Sequence, residues 1–463
     1  MFLCIVRGLF MKDAVVILAA GQGTRMKSKY PKVTHTVLEK PLVRWVVDAA
    51  REAGVDSVVT VVGHGRDVVE PLVEDTIIVV QEEQKGTAHA VLSAKEACAD
   101  VDGSLVVLSG DSPLVRAETI KNLIALREKE QAAVVVLTME LDDPFGYGRI
   151  VRDDNGDVVR IVEEKDCTQA ERVITECNSG FYCFDAPVLF DALTRVSTNN
   201  AQGEYYLPDV LAIALADGKK VLAMDAEDPS ECMGVNSRIQ LAETTKIAQD
   251  RINRAHMAEG VTLVDPDTTW IGPDVTIGQD SIIYPACSLT GATTIGEDCV
   301  IGPSTRLSDT TVGNRCVLEE TIALETVIEN DVDCGPRCYL RPLTHLCNNS
   351  KVGTHVEIKK STIGEHSKVP HLSYIGDATL GTNVNIGAGS ITCNYDGEKK
   401  WPTTIGDDVF VGSDTMMVAP VVLGDDSLIG AGSVITQDVP AHALGLGRAR
   451  QTVIEGYRLR NKD

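Results

Sequence analysis

The sequence predicts an α/β domain on a mostly parallel, doubly wound sheet over residues 12–236, then a parallel β-helix of hexapeptide repeats over 261–440. Three observations predict this. Short Val/Ile-rich runs alternate with amphipathic stretches up to about residue 235. From Val261 onward an aliphatic residue recurs every six positions, often followed by Gly. The chain holds 39 Gly but only 4% aromatic residues, so close backbone approaches are many and large rings to fill an interior are few.

In the first domain, strands are predicted at Ala14–Ala19, Ser57–Val62, Thr76–Val80, Ser104–Leu108 and Ala132–Thr138, with helices at Pro41–Ala53, Ala88–Ala97 and Ala117–Glu130. Such sheets bind ligands at the carboxyl ends of their strands. Residues 237–258 lack Pro and Gly, and the spacing of Ile239, Leu241, Ile247 and Ile252 predicts one long helix, so 237–260 reads as a linker. The six-residue beat then runs through pairs such as Ile277-Gly278, Ile295-Gly296 and Ile363-Gly364, breaks at an insertion near 394–404, and resumes at Ile405-Gly406. Each aliphatic should point inward, with Gly or a small polar residue at the corner. A second inward position four residues on holds Val275, Ser281, Cys287, Thr293, Cys299, Thr305, Cys316, Cys338, Val356, Thr362, Ser390, Val409, Thr415 and Ser433, all small or β-branched, as a narrow core requires. The cysteines among them read as core fillers. Residues 441–463 form an irregular, Arg-rich tail.

The balance of 43 Lys+Arg against 67 Asp+Glu gives a net charge of −24, which excludes a nucleic-acid-coating protein but not a small anionic substrate held by local cations. No apolar run reaches the roughly 18 residues of a membrane helix. The 13 Cys include no CxxC pair, so free thiols in a reducing cytoplasm are expected. Residues 1–11 read as an extension that need not be native, with Met11 an alternative start.

Leu18-Ala19-Ala20-Gly21-Gln22-Gly23-Thr24-Arg25-Met26 follows the first strand. Its glycines admit a polyphosphate, yet it lacks the Gly-Lys-Ser/Thr end of a P-loop and the third Gly of a dinucleotide fingerprint. With Pro31-Lys32 downstream it resembles the sugar-phosphate nucleotidyltransferase family. In the same order follow Gln81–Ala90, Ser109-Gly110-Asp111, Gly146-Tyr147-Gly148-Arg149, Glu163–Asp166, Asn178-Ser179-Gly180, Asn199–Tyr206 and Gly234-Val235-Asn236.

Polar residues also break the hexad pattern at 341–395: Arg341-Pro342, Glu357, Lys359-Lys360, His371-Leu372-Ser373-Tyr374, Asn383–Gly389 and Thr392–Gly397. Taken with the first domain, residues 12–455 resemble the bifunctional family that joins N-acetylglucosamine-1-phosphate uridylyltransferase to glucosamine-1-phosphate N-acetyltransferase. The resemblance implies a Rossmann-like nucleotidyltransferase domain, a left-handed β-helix and a cytoplasmic homotrimer. Acetyl-CoA acetylates glucosamine-1-phosphate, and UTP then yields UDP-N-acetylglucosamine for peptidoglycan and lipopolysaccharide.

It further implies roles for particular residues. Asp111 and Asn236 hold Mg²⁺, and Arg25 and Lys32 bind phosphates. Leu18, Ala19, Ala20, Gly21, Gln81, Gly86 and Thr87 take the nucleotide, with Gln81 reading uracil. Gly148, Glu163 and Asn178 contact the amino sugar. In the β-helix, His371 is the general base, Arg341 and Lys359 grip the sugar phosphate, and Glu357, Tyr374 and Asn385 orient sugar and amine. Ala388, Asn394, Tyr395, Ser413, Ala431 and Arg448 line the acetyl-CoA groove. A solvated terminal charge is the rival reading of Arg448. The stretch Leu343–Lys351 and Thr354-His355 depart from the family pattern beside the sugar contacts. Two rivals stand beside this reading, a monofunctional nucleotidyltransferase with a structural β-helix and a non-enzymatic trimeric scaffold.

Overall fold

The computed structural model describes residues 12–459, so the predicted extension 1–11 lies outside the described residues. Contacts divide the chain into units 1–248 and 249–463, a boundary inside the long helix rather than at either of its ends.

The first unit carries a nine-stranded sheet. Its strands are β1 (Ala14–Ala19), β2 (Ser57–Val62), β3 (Ile77–Val80), β4 (Ser104–Ser109), β5 (Val134–Glu140), β6 (Arg149–Arg152), β7 (Val158–Val162), β8 (Glu176–Asp185) and β9 (Val221–Asp225). The order is β9-β5-β8-β4-β1-β2-β3, with β6 and β7 hanging from β8 as a hairpin. β8 runs antiparallel to both neighbours, while β1 pairs in parallel with β2 and β4. The central strands are apolar throughout because both faces are covered. Helix α1 (Leu42–Glu52) lies over one face with α3 (Ala117–Glu130), and α2 (Thr87–Ser93) over the other with α4 (Ala186–Leu193) and α5 (Asp209–Ala216). The helix predicted at Ala88–Ala97 ends at Ser93 and continues as turns.

Helix α6 (Arg238–Ala258) starts on a side-chain cap. Ser237 Oγ accepts the Gln240 amide at 3.2 Å, and Gln240 Oε1 accepts the Asn236 amide at 2.9 Å. This start pins Asn236. Farther along, Gln249 and Asn253 donate their side-chain amides to the Thr269 carbonyl at the foot of the solenoid.

The second unit is a left-handed β-helix whose coils stack into three parallel sheets of 11, 10 and 9 short strands. The aliphatic residue of each hexad is inward, as Ile271, Ile283, Leu340 and Ile429 show. Of the fourteen residues expected at the second inward position, from Val275 to Ser433, all but one are buried. The hexad after Ile358 is one residue short, so Ser361 is buried in place of Thr362, which is only half-buried. All the described cysteines are free, and Cys287, Cys299, Cys316 and Cys338 fill the core.

The corners hold the small polar residues expected, at a fixed position. The left-handed residue is mostly the position two beyond the Gly, often Asp or Asn: Asp280, Asp298, Asp331, Asn349 and Asp408 all have φ near 60°, while Gly302 is a Gly after the aliphatic with positive φ. The Gly serves another purpose. Gly278, Gly296, Gly313, Gly364, Gly381, Gly406 and Gly424 stack coil upon coil, and a Cβ on Gly278 would lie 2.6 Å from the Gly296 carbonyl carbon. Only Glu329 and Cys347 interrupt this column within its run from Gly278 to Gly424. Gly278→Val is expected to cost about 1–3 kcal/mol by overpacking, read as a lower denaturant midpoint. An unchanged midpoint would show that the coils simply spread.

Candidate functional sites

At the carboxyl ends of β1 and β4 two clefts of about 270 and 240 Å³ meet, sharing Leu18, Thr87, Ser109 and Asp111 in their walls. The first also takes in Ala19, Ala20, Gly21, Lys32, Gln81 and Gly86. The second takes in Glu163, Asn178 and Asn236.

At their junction the Lys32 ammonium bonds both Asp111 Oδ2 and Asn236 Oδ1, the latter at 2.8 Å. Gly23 makes this possible, since a Cβ there would run into Lys32 Cβ. Asp111 is buried and held by the Ser109 hydroxyl at 2.7 Å, and its carbonyl accepts the Val235 amide. Arg25, otherwise exposed, reaches Asn236 Oδ1 at 2.8 Å. Two hard oxygens thus converge on one cationic point, which fits the donor set of a Mg²⁺ that keeps water and phosphate as its other ligands.

Gln81 closes the first cleft. Its Nε2 donates to the Gly86 carbonyl at 3.3 Å and meets His89 Nδ1 at 3.0 Å, which fixes the amide with Oε1 left for a ligand. The Gly86 turn is braced by the 199–206 motif. Ala88 N–H bonds the Tyr205 carbonyl, Tyr205 N–H bonds that of Lys85, and a Cβ on Gly86 would sit 2.5 Å from Tyr205 O.

In the second cleft, a register shift in β8 between Asn178 and Tyr182 turns Asn178 inward. Asn178 Oδ1 accepts from the Tyr182 hydroxyl at 2.9 Å and the Gly180 amide at 3.1 Å, leaving Nδ2 as a donor. Burial, with Asp166 and Asp209 nearby, pushes the Glu163 carboxyl above its usual range. Gly148 stands behind rather than in the cleft, its carbonyl accepting the Asn178 amide at 2.8 Å. Arg149 is buried and paired with Glu164 at 2.7 Å, which accounts for both of their motifs. Tyr182 is among the lining residues that sequence reasoning missed, with Ser112, Leu207, Pro208 and Cys232. As a buried strand aromatic it carries no distinguishing signal.

In the β-helix the predicted residues fall into two neighbouring groups. The first lies on one sheet face. Arg341 pairs with Glu357 at 2.8 Å, and Glu357 sits in register between Tyr339 and Tyr374. Asn394, expected along the acetyl-CoA groove, reaches Tyr374 OH at 3.4 Å and Asp377 Oδ2 at 2.6 Å. Asp377 also takes Lys359 at 3.4 Å. Neither Asp377 nor Lys400 was legible, one being a corner residue among many Asp corners and the other lying in the insertion. The Lys400 ammonium is held below its ordinary pKa by Lys359 beside it, with Arg341 adding to the effect. Arg341, Lys359 and Lys400 against the carboxylates of Glu357 and Asp377 leave a net positive charge, which can hold an anion.

The second group is a column along one corner. Successive coils repeat one hydrogen bond: Gly389 N–H to His371 O, Asp414 N–H to Ala388 O, Gly432 N–H to Ser413 O. So His371, Ala388, Ser413 and Ala431 stack one above another, with Asn385 three residues before Ala388 in the same ladder. His371 is exposed, and its imidazole has no hydrogen bond among the described residues. Arg448 is exposed, with its side chain passing Gly432. Tyr395 lies apart, 60% exposed in the insertion, donating to the Gly397 carbonyl.

Residues 15–209 match the model of the MobA-like NTP transferase domain, and 402–437 that of the hexapeptide repeat of succinyl-transferase. Over 443 residues the chain is 51% identical to the "Bifunctional protein GlmU" of Halalkalibacterium halodurans, covering 96% of this chain and 97% of that one. The proteins of the same name from Listeria monocytogenes serotype 4a and Carboxydothermus hydrogenoformans are 49% and 48% identical, each over 96% of this chain and covering 98% and 99% of theirs.

Proposed function

The chain belongs to the bifunctional GlmU family, and on that premise we propose how its residues divide two transfer reactions. It is a uridylyltransferase and an acetyltransferase of UDP-N-acetylglucosamine synthesis. Glucosamine-1-phosphate is N-acetylated from acetyl-CoA in the β-helix. N-acetylglucosamine-1-phosphate then takes a uridylyl group from UTP in the α/β unit.

In uridylyl transfer a sugar-phosphate oxygen attacks the α-phosphorus of UTP and pyrophosphate leaves in line. The nucleotide lies along 18–21 with its base on Gln81, the Gly86 turn and Thr87. The sugar lies between Glu163 and Asn178. Arg25 and Lys32 neutralise phosphate oxygens, and Asp111 and Asn236 hold Mg²⁺, which shields the charge of the triphosphate when bound. The observation that carries this reading is the pair of clefts meeting at Lys32, Asp111 and Asn236. In acetyl transfer His371 takes a proton from the sugar ammonium, the freed amine attacks the thioester carbon, and the CoA thiolate leaves with a proton. Arg341, Lys359 and Lys400 grip the phosphate, and Glu357, Tyr374 and Asn385 orient the sugar. Ala388, Ser413 and Ala431 form the rungs along which acetyl-CoA lies, ending at Arg448.

The free thiols support a reducing cytoplasm. Exposed Phe410, Leu428 and Val434 on the coil faces support a homotrimer. Pyrophosphate release with UTP and thiol release from acetyl-CoA, assayed on one preparation, test the pair of reactions.

His89 bears on base choice. With Nε2 of Gln81 fixed on Gly86 and His89, Oε1 faces the uracil N3–H, where cytosine offers only an acceptor. His89→Leu is expected to lower kcat/KM for UTP about tenfold, the worth of a buried hydrogen bond, and to raise the CTP/UTP ratio. His89→Asn, which keeps an acceptor near Nδ1, should restore much of both. An unchanged ratio in the Leu variant would refute this role.

A further inference from the structure

The glycine column of the β-helix breaks at two consecutive coils, and the residues placed there are Glu329 and Cys347. The register that pairs Val327 with His345 and Ile328 with Leu346 sets Glu329 directly beneath Cys347, one rung of about 4.8 Å away. His345 points outward on the same face as Cys347, two residues earlier. One carboxylate, one imidazole and one thiol therefore share a single patch, with donor atoms all within 4.8 Å of one another. All three are half-buried, so a solvent ion reaches them.

The geometry points to a divalent zinc-class metal site at Glu329, His345 and Cys347, clamping two successive coils. Imidazole, thiolate and carboxylate are a zinc ligand set, and a tetrahedral ion at about 2.0–2.3 Å from each donor needs them about 3.3–3.8 Å apart. His345 Nε2 and Glu329 Oε1 are 2.8 Å apart, so a small outward turn of either admits the ion. The outer shell is in place, because the Asn348 amide donates to Glu329 Oε2 at 3.0 Å and orients the carboxylate. Burial, with Glu329 and Glu365 nearby, raises the Cys347 thiol, so binding must displace its proton to solvent. Gly364, next in the column above Cys347, carries no side chain and leaves the fourth position to water. His345 and Cys347 lie within 343–351 and Glu329 one coil below, and the site has no part in either transfer reaction.

The test uses the full-length protein stripped with a chelator and titrated with Zn²⁺ against a chromophoric indicator, and separately with Co²⁺. One tight equivalent per chain is expected, with a thiolate-to-cobalt charge-transfer band in the near ultraviolet. Zn²⁺ should also shield Cys347 from iodoacetamide by at least tenfold in peptide mass analysis. Cys347→Ser should remove the band, and Cys347→Ser, His345→Asn and Glu329→Gln should each weaken binding at least tenfold, the usual loss on removing one ligand-shell group, while both transferase activities persist. If Cys347→Ser binds Zn²⁺ as tightly as the parent, or if Zn²⁺ gives Cys347 no protection, the site is only a Glu–His ion pair beside a free thiol and the proposal fails.

Discussion

Asp111→Ala is expected to lower kcat/KM for uridylyl transfer by about 10²–10³-fold, the scale of losing one placed electrostatic group at a reacting centre, and to leave acetyl transfer within about twofold. The carboxylate is buried between the two clefts, bonded by Lys32 and Ser109. No other carboxylate lines both clefts among the described residues. Removing it leaves the Lys32 ammonium short of a partner, so some of the loss is structural. Asp111→Asn separates the two effects, because it keeps the shape and one acceptor oxygen for Lys32 while deleting the charge. Both variants should fail alike, and Mg²⁺ should no longer stimulate the residual rate. If the Asn variant keeps more than a tenth of parental activity, the charge is not what the site needs.

The second large effect belongs to the other reaction. His371→Ala should cut kcat for acetyl transfer about 10²–10⁴-fold, the range of general-base catalysis, with KM for acetyl-CoA little changed and uridylyl transfer intact. The side chain is exposed and makes no hydrogen bond among the described residues, so its loss should leave the fold untouched. The pH profile supplies a second reading. The acidic limb of kcat/KM reports the protonation of the free enzyme's base, and it should vanish from the residual activity of the Ala variant. Survival of full activity, or of that limb, would assign the proton transfer elsewhere.

The parts legible in the sequence were those with a period or a chemical signature. The coils followed from a repeat that only a narrow core explains, and β1, β2 and α3 from runs bounded by turn residues. The glycine after each aliphatic was legible as a constraint but not as to its cause, since crowding between coils and backbone freedom select the same residue. Asp377, Lys400 and Tyr182 stayed hidden for a different reason. Each is ordinary in its own segment and gains meaning only from its neighbours in space, as Asp377 does from Lys359 and Asn394. Gly148 shows the reverse case, a motif residue that serves the site from behind.

The coil register carries a last consequence. Ile283 and Ile301 are 18 residues apart, Leu318 and Cys334 only 16, yet both pairs stack. Length can therefore change by whole turns of the spiral, or by a residue or two at a corner, without dislodging what lies above or below. On the proposed acetyl-CoA path, the turns bearing His371, Ala388, Ser413 and Ala431 are exempt, because the length of that substrate sets their number.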